Sequence, residues 1–452
     1  MRDLPKSLLL SRTLAVTGLA FALSMPAAAT ETINLVSAFR QGLTNDPTFL
    51  SAAAQNRAAK ELIPQAEAAL LPSVQMSSSF NANLRYDFRQ GAAQRRDSFF
   101  NAGLSLSLTQ PIYRQDLRIQ IRQANTQVEQ ADAQFAFAMQ ALIVRVADRY
   151  FAVLAAGDAL EFAQAEKNAI EQQLTQSQQR FEVGLIAITD VEEARAGFDL
   201  ATAQVIAAEN NLAGAYEALR EVTGVYQTAL WILGPDSPTL VVPEPNNIDS
   251  WTETALRQNR ELEAARLQVV RQRDEIRLVE SGHLPTVSLV GSSGVTFQNG
   301  AAVNNSRTID SAVGLQLSMP IYQGGLLLSQ ARSAQHSHEQ ALEDQERQRR
   351  ATQRLARDSF RGVLSGISQV KALKQALVSA RSALEAIEAG FQVGTRTSVD
   401  VLNAQRELFR TQRDYSQARY DYILSILRLK QAAGTLAPPD LAQVNEWLQD
   451  DA

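Results

Sequence analysis

The sequence predicts a mainly α-helical fold with four long β-strands, arranged as two copies of one structural plan. Three observations support this: similar passages recur 210 positions apart, two segments in each copy alternate apolar and polar residues, and three long segments have a heptad pattern. Hydrophobic residues make up 45% of the 452 residues, but aromatic residues only 6%. This composition is typical of long helices that pack closely through small side chains.

The first 29 residues have the pattern of a secretory signal peptide. Basic residues precede the apolar run LAVTGLAFAL, and small residues before position 30 form a cleavage site. We therefore expect an exported protein whose mature chain begins at residue 30. Loss of this segment makes the net charge of −5 more negative. An acidic chain gives no reason to expect nucleic acid as a partner.

Several classes of chemistry are excluded by what the sequence lacks. Without cysteine there is no disulfide, no cysteine metal site and no lipid-modified N-terminal cysteine. After the signal peptide no charge-free apolar run reaches about 18 residues, so no transmembrane helix is expected. His283, His336 and His338 lack a well-spaced third metal ligand. Because catalytic and phosphate-binding motifs are also missing, we expect no metal, no cofactor and no enzymatic activity.

An internal duplication divides the mature chain into two repeats. Matching residues lie 210 positions apart, among them Phe181 and Phe391, Gly184 and Gly394, Asp190 and Asp400, and Gly224 and Gly434. The predicted units are a first repeat at 30–224, a proline-rich linker or equatorial segment at 225–250, a second repeat at 251–434 and a tail at 435–452. The sequence leaves open whether the tail packs near the middle of the molecule or stays mobile.

The strands are predicted from strict alternation of apolar and polar residues. They are expected at about 72–89, 97–110, 285–298 and 309–320. From Val74 to Phe88 the alternation lasts far longer than an ordinary strand of roughly 5–6 residues. A soluble sheet and a membrane β-barrel both fit, but export, strand length and aromatic residues near the loops favour the barrel. Since the smallest barrels have about eight strands, several chains would have to pool their strands.

The helices are predicted from sustained heptads, as in Ile121, Ala124 and Val128. They are expected at about 112–183, 190–223, 325–392 and 398–433. Such heptads indicate antiparallel coiled-coil pairs that turn at Gly184 and Gly394. A helix that fills the first of these segments reaches on the order of 100 Å. This length suits a rod or tunnel better than a compact domain.

Specific motifs resemble the TolC family of outer-membrane efflux and type I secretion proteins. They are RFEVGLIAITDVEEARAGFD from Arg180, AGFQVGTRTSVDVLNAQ from Ala389, ARYDYILSILRLKQAAGTL from Ala418 and the PIY motifs at Pro111 and Pro320. The resemblance implies a homotrimer with a 12-strand outer-membrane β-barrel, four strands per chain. It also implies a long helical coiled-coil barrel in the periplasm and an equatorial domain.

The same resemblance implies the function and the partners. The trimer would be the exit duct of tripartite efflux pumps, of type I protein secretion or of both, gated at its periplasmic end by untwisting of the coiled coils. Its partners would be outer-membrane lipid, a periplasmic adaptor (membrane fusion) protein and an inner-membrane RND or ABC transporter, which supplies the energy. The missing N-terminal cysteine makes the chain similar to the non-lipidated branch of the family.

The resemblance places a gate latch at the periplasmic tips, where Gly184 and Gly394 are the turn glycines. Arg396 matches the arginine that family members use to tie one coiled coil to its neighbour. Its expected partners are Thr189 and Asp190. Only the second repeat has this cation, and two near-identical hairpins need such an asymmetry to hold each other.

Further residues are assigned to the gate by the same resemblance. Arg419 is expected to be another tether between helices in the closed state. Asp400 would form a ring of carboxylates that narrows the pore and selects for cations. Asn403 stands where a second acidic ring is expected, and Phe391 stands where the family often has tyrosine. These two departures predict weaker block by multivalent cations and a looser closed state.

Local sequence alone favours a simpler role for the same residues as helix caps. Capping boxes could pair Thr189 with Glu192 or Asp190 with Glu193, and residues 397–400 suit a helix start in the same way. Capping and latching are compatible roles.

Three other classes of protein compete with the duct. A periplasmic coiled-coil adaptor would share the heptads and the export signal, but not the four long strands. An open diffusion porin would need many more strands per chain and no long heptads. An exported enzyme is disfavoured because no catalytic motif is present.

Overall fold

The computed structural model describes residues 32–87, 95–227, 229–235, 237–300 and 305–450. The expected signal peptide, residues 1–29, lies outside these ranges, and so does the expected strand end at residues 88–89.

The elements of the two repeats follow one another in the same order. Up to residue 224 they are α1 (Leu35–Asn45), α2 (Pro47–Lys60), α3 (Leu62–Ala68), β1 (Ser73–Asp87), β2 (Arg95–Tyr113), α4 (Gln115–Glu182) and α5 (Ile188–Thr223). From there to the end they are β3 (Ile232–Leu233), α6 (Ile248–Gln258), α7 (Arg260–Glu280), a 3-10 turn (Ser281–His283), β4 (Thr286–Asn299), β5 (Ser306–Ser318), α8 (Leu326–Gln392), α9 (Ser398–Ala433), α10 (Pro438–Asn445) and β6 (Leu448–Gln449).

Four long helices form two hairpins, α4 with α5 and α8 with α9. With 68 and 67 residues, α4 and α8 are each about 100 Å long. α4 begins at Gln115 rather than near residue 112, because Pro111 and Tyr113 still pair with β4. Both hairpins end at a left-handed glycine, Gly224 or Gly434. Within the described ranges, no helix is both long enough and apolar enough to cross a membrane.

The four long strands form one antiparallel sheet in the order β1–β2–β4–β5. The strands have 13 to 19 residues, whereas ordinary strands have roughly 5–6. β1 and β5 are the two edges, and neither edge has a partner strand within the chain as described. Long free edges expose unpaired backbone groups, which proteins ordinarily cover or pair.

The two faces of the sheet differ in polarity. One face carries exposed apolar side chains, such as Phe80 (73% exposed) and Val313 (81%). The other face carries small polar residues, and one row across it reads Ser77, Ser105, Gly294 and Asp310. This alternation is the one expected for the wall of a membrane β-barrel.

The main hydrophobic core lies between α4 and α9 and extends to α1, α5, α8 and α10. Tyr150, Phe151 and Tyr422 are its largest fully buried side chains. The hydroxyl of Tyr150 donates to the carbonyl oxygens of Trp231 (2.8 Å) and Ile33 (3.1 Å). The core therefore holds the segment between the repeats and the start of the first repeat against the long helices.

The C-terminal tail, whose placement the sequence leaves open, packs against this core. Leu441 and Val444 of α10 are buried in it, and β6 pairs with β3 in a short antiparallel sheet. The Thr32 hydroxyl donates to the Asp450 carboxylate at 3.1 Å. The two ends of the described chain therefore meet.

Candidate gate at the two hairpin tips

The first hairpin turns at Gly184, whose φ of +75° lies in the left-handed region that glycine adopts readily. The N–H of Leu185 donates to the carbonyl oxygen of Arg180 at 2.8 Å. This bond satisfies a carbonyl at the end of α4, as in a Schellman motif. α5 then begins at Ile188, with Ala187 as its N-cap.

The N-cap predicted at Thr189 or Asp190 is wrong. Ala187 occupies the N-cap position, and its side chain accepts no hydrogen bond. Because the Asp190 N–H donates to the Ala187 carbonyl at 3.2 Å, Thr189 and Asp190 already lie in the first turn of α5. Thr189 is exposed and Asp190 is half-buried. The Asp190 carboxylate therefore stands at the helix N-terminus, where a negative charge is favourable.

The second hairpin turns at Gly394 with nearly the same backbone, at φ +79°. Here the predicted helix start is confirmed, since Thr397 is the N-cap of α9 and forms a capping box with Asp400. The Asp400 Oδ2 accepts from the Thr397 N–H and from its hydroxyl, both at 3.0 Å. These bonds, the backbone one first, lower the pKa of Asp400, and the charge of Arg396 lowers it further.

Arg396 projects from the second turn and is exposed. Its side chain lies over Gly390 in the last turn of α8, where an added Cβ would lie 2.8 Å from the Arg396 Cγ. Within the described residues, no hydrogen bond or ion pair joins Arg396 to Thr189, Asp190 or any other residue. The structure therefore does not bring the expected latch together inside one chain.

One contact that no sequence pattern predicts joins the two tips within the chain. The guanidinium carbon of Arg180, in α4, lies 4.3 Å from the centroid of the Phe391 ring, in α8. Such cation–π contacts are favourable by about 0.5–1 kcal/mol at exposed sites. Arg180 occupies the position that Gly390 has in the second repeat, and this difference between the copies was the only signal available.

The two expected pore residues lie on one face of α9. Asp400 is half-buried, and Asn403, one turn later, is exposed. Both capping bonds go to the Asp400 Oδ2, so Oδ1 stays available to ions. Capping and pore lining can therefore be performed by the same carboxylate.

Arg419 lies far from this group of residues. It is 19 residues beyond Asp400 on α9, which corresponds to about 28 Å. Its side chain is buried, and its Nε donates to the carbonyl oxygen of Ser237 at 2.8 Å. Its Nη2 donates to the carbonyl of Gly234. Within the described chain Arg419 thus holds the segment between the repeats on α9, and the structure does not place it with the gate residues.

Two helical hairpins of about 100 Å, joined to a sheet with one exposed apolar face, define an outer-membrane channel with a helical extension into the periplasm. This chain belongs to the outer membrane efflux protein family, whose model matches residues 39–225 and 251–435. The two matches correspond closely to the two structural repeats. The family is one of channel proteins rather than enzymes.

Individual relatives agree with this assignment. The chain is 41% identical over 422 residues to the outer membrane protein TolC of Vibrio cholerae, covering 92% of this chain and 94% of that protein. It is 29% identical to the alkaline protease secretion protein AprF of Pseudomonas aeruginosa, over 91% of this chain and 86% of that protein. The CmeC outer membrane channel of Campylobacter jejuni has the same fold, with a TM-score of 0.75 at 16% identity, over 97% of this chain and 98% of that one.

These findings confirm the mainly α-helical fold with a β-barrel part, the outer-membrane location with a periplasmic extension, and the class of protein expected from the sequence. That class is an outer-membrane exit duct for efflux and type I secretion.

Proposed function

We propose that three copies of the chain form one duct, closed at its periplasmic end by latches between the hairpin tips. The observation that carries this proposal is the free cation of the second tip. Arg396 is exposed and makes no hydrogen bond or ion pair within the part of its own chain that the structure describes, while the matching position of the first tip is Ile186. A cation left free beside an otherwise complete turn is available to a neighbouring copy.

The sheet requires more than one copy, and the family resemblance implies three. Its two edges, β1 and β5, are unpaired within the described chain, and an edge-free barrel results if β5 of one copy pairs with β1 of the next. Four strands cannot enclose a lumen, whereas three copies supply twelve strands, well above the minimum of about eight. The exposed apolar face then contacts outer-membrane lipid, and the small polar residues line the lumen.

The latch is a contact of Arg396 with Thr189 and Asp190 of the adjacent tip. Asp190 offers a carboxylate in the first turn of α5, and Thr189 is exposed beside it. A charge-assisted hydrogen bond of this kind is stronger than one between neutral groups. Threefold symmetry repeats the latch three times, so the tips converge and close the entrance. Opening then requires the coiled coils to untwist.

Ion selection at the closed entrance is assigned to Asp400. Its lowered pKa keeps the carboxylate ionised at neutral pH, and three copies form an acidic ring. Asn403 provides a second ring without charge. An Asn403→Asp variant is therefore expected to bind trivalent cations more tightly than the wild type. Equal block of both proteins would contradict this assignment.

The energy for transport comes from elsewhere. The fold serves as a passive duct, and no catalytic group is proposed for it. We assign it to a tripartite assembly with a periplasmic adaptor and an inner-membrane transporter of the RND or ABC type. The alkaline protease secretion protein among its relatives favours protein cargo, and the efflux family favours small molecules.

The proposal is tested by single-channel conductance in planar bilayers, for the wild type and Arg396→Ser. We expect small cation-selective openings that become several-fold larger in the variant. Arg410→Ser is the matched control, because Arg410 lies on α9, the helix that follows the turn of Arg396, and forms a local ion pair with Glu407 at 3.1 Å. A large wild-type conductance that ignores the Arg396 substitution would contradict the latch. A molecular mass in detergent other than three times that of the monomer would contradict the trimer.

A further inference from the structure

We infer that the α8–α9 hairpin moves about a fixed point on α4, formed by Asp158 with Ser416 and Tyr420. We call these three residues the pivot. We call the region of α4 and α9 between the pivot and the tips the seam, and its buried polar residues include Gln173, Ser177, Ser398 and Gln405. The inference rests on the proposed gate and assigns Asp158 as a positioning residue for it.

The pivot is a hydrogen-bonded link between the two repeats. The Asp158 Oδ2, on α4, accepts from the Ser416 hydroxyl at 2.6 Å and from the Tyr420 hydroxyl at 2.8 Å, both on α9. Ser416 and Tyr420 are buried. Burial, and then the nearby charge of Asp158, raise the pKa of Tyr420, so its hydroxyl stays protonated and donates to the carboxylate.

Above the pivot the two helices are held by specific packing. The Phe151 and Tyr420 rings stack with centroids 5.6 Å apart. Further up, Asp148 and Arg428 form an ion pair at 2.9 Å. The main hydrophobic core begins at this level and includes large side chains of both helices. Close-packed contacts of this kind fix one relative position of two helices.

Below the pivot the specific contacts between these helices end. In the described chain, no hydrogen bond or ion pair joins α4 to α9 between Asp158 and the tips. The small apolar cluster in this region, around Ile170, Ala194 and Ala201, takes only Leu402 from α9. Most of its members belong to the α4–α5 hairpin and hold that hairpin together.

Four buried polar side chains of the seam have an atom without a protein partner among the described residues. Gln173 Nε2 and Ser177 Oγ on α4, and Ser398 Oγ and Gln405 Oε1 on α9, have no hydrogen-bond partner in the described structure. Buried polar groups are ordinarily paired, so this interface is not a fixed network. Beside it runs a groove of about 680 Å³, also lined by Gln172, Gln176 and Gln179. A polar groove of this size can hold water molecules that bridge these side chains. The two helices can therefore slide past each other while their polar groups stay hydrogen-bonded.

The electrostatic attraction between α4 and α9 along the seam also allows the two helices to move. Glu166, on α4, is attracted by Arg406 and Arg413 of α9, but forms no ion pair with either. Attraction across such a gap changes gradually with distance, unlike a hydrogen bond. A hairpin held by direct bonds at the pivot and by diffuse attraction along the seam can move by giving up one weak defined contact, that of Arg180 with Phe391 at the tips.

Because the pivot lies far from the tips, a small angular change there moves the tips by a large distance. Asp158 precedes the end of α4 by 24 residues, which places it about 36 Å above the tip. If the α8–α9 hairpin bends by about 10° at the level of the pivot and stays straight below it, its tip is displaced by on the order of 6 Å. This displacement exceeds the reach of the latch contacts, while the core above the pivot stays unchanged.

The inference is tested with pairs of spin labels, for which the absence of natural cysteine is convenient. One pair, at Thr175 and Glu407, reports the seam, and the other, at Ala152 and Asp421, reports the region above the pivot. All four positions are exposed. Labelled chains are diluted with unlabelled ones, so that each trimer carries one labelled copy. Distances are measured in the wild type, in Arg396→Ser and in Arg396→Ser combined with Asp158→Ala.

We expect Arg396→Ser to lengthen the seam distance by several ångströms and to leave the upper distance unchanged. Adding Asp158→Ala should broaden the upper distance as well, whereas Asp148→Ala, which removes the exposed ion pair above, should not. Asp158→Asn keeps one acceptor and the size of the side chain, so it should give an intermediate result even if the alanine variant folds poorly.

Conductance of the same proteins separates this inference from the gate. If Arg396→Ser enlarges the pore but both distances change equally, the latch stands and the pivot is wrong. If Arg396→Ser leaves the conductance unchanged, the proposed latch is wrong, and the pivot, which rests on it, is wrong as well. A larger pore with movement in the seam alone supports both.

Discussion

The two hairpin turns share a backbone but differ in the side chains that complete it. Gly184 and Gly394 have φ angles of +75° and +79°, and each turn is closed by a backbone hydrogen bond of 2.8 or 2.9 Å to the carbonyl oxygen five positions earlier. However, α9 starts with a capping box at Thr397, whereas α5 starts at Ala187 without any side-chain cap. Duplication has kept the conformation and allowed the roles of the two tips to diverge.

The placement of arginine shows this divergence most clearly. Arg180 of the first copy corresponds to Gly390, and Arg396 of the second corresponds to Ile186. Each tip thus has one arginine, but Arg180 is used inside the chain, against Phe391, while Arg396 has no bonded partner in its described chain. One cation fixes the two tips of a protomer together, and the other is left for contacts between protomers.

Exchanging the free cation between the tips should produce the largest effect. In the double variant Ile186→Arg and Arg396→Ile, the arginine lies on the same tip as Thr189 and Asp190 and can no longer reach them across the interface. Loss of a charge-assisted bond of about 1.5 kcal/mol corresponds to roughly tenfold in the open population. We expect open-channel occupancy in bilayers to rise by this factor. Wild-type occupancy in the exchanged protein would show that the position of the arginine does not matter.

The turn glycines should respond alike, in spite of the other differences between the tips. Gly184→Ala and Gly394→Ala each place a Cβ in the left-handed region, at a cost of about 1–2 kcal/mol. Neither site has an atom within 4 Å of the new Cβ, so backbone strain alone is measured. Faster amide hydrogen exchange in the two turns would report it.

Gly157→Ala is the control for these variants. Gly157 lies inside α4 and is likewise open around an added Cβ, and here alanine should stabilise the helix by about 0.5–1 kcal/mol. Equal destabilisation at all three glycines would contradict the role of positive φ.

The difference in capping between α5 and α9 can be removed in two ways, by deleting the cap of α9 or by adding a cap to α5. Thr397→Ala should destabilise the start of α9 by about 1 kcal/mol, and Ala187→Ser should stabilise the start of α5 by a comparable amount. Hydrogen exchange of the first-turn amides measures both effects. Exchange that is unchanged in both variants would show that neither cap matters to its helix.

The Thr397→Ala substitution should also change the pKa of Asp400. The pKa of Asp400 is lowered in the folded protein, so its carboxylate contributes stability above its unfolded pKa and loses that contribution as the pH falls through the folded value. Without the Thr397 hydroxyl the pKa of Asp400 should rise toward its usual range. Cation selectivity, measured as a reversal potential, should then be lost at a higher pH than in the wild type.

The smallest effect is expected at the seam. Burial raises the pKa of Glu166, and Arg406 and Arg413 only partly oppose this. A raised carboxyl pKa favours the folded state at low pH, and this contribution is lost as the pH rises through the folded value. Glu166→Gln should therefore raise the melting temperature slightly at pH 8, with the gain shrinking toward pH 4. Glu171→Gln, an exposed neighbour on the same helix, is the control and should show no such trend.

Much of this molecule was predictable because its signals are local and repeated. Heptads and alternation predict the long helices and strands within a few residues, and the two turn glycines mark the tips. The cap at Thr397 follows from four adjacent residues. The cap of α5 was misplaced because Ala187 carries no capping signal, whereas Thr189 and Asp190 imitate one from inside the helix.

The remaining features depend on partners that are distant in the chain. Arg419 binds a carbonyl oxygen 182 positions away, and nothing near it in the sequence marks that contact. Arg180 and Phe391 belong to different repeats, so no local pattern joins them. β3 and β6 have two residues each, which is too short for any periodicity to show.

The contact between Thr32 and Asp450 has a practical consequence. Because the two ends of the described chain lie within one hydrogen bond of each other, a short peptide could join them without stretching the fold. Circular permutation with new ends placed between β4 and β5 would then put the α8–α9 hairpin before the first repeat along the gene. Such a permutant would reveal whether the sequence in which the repeats are synthesised matters for assembly in the membrane.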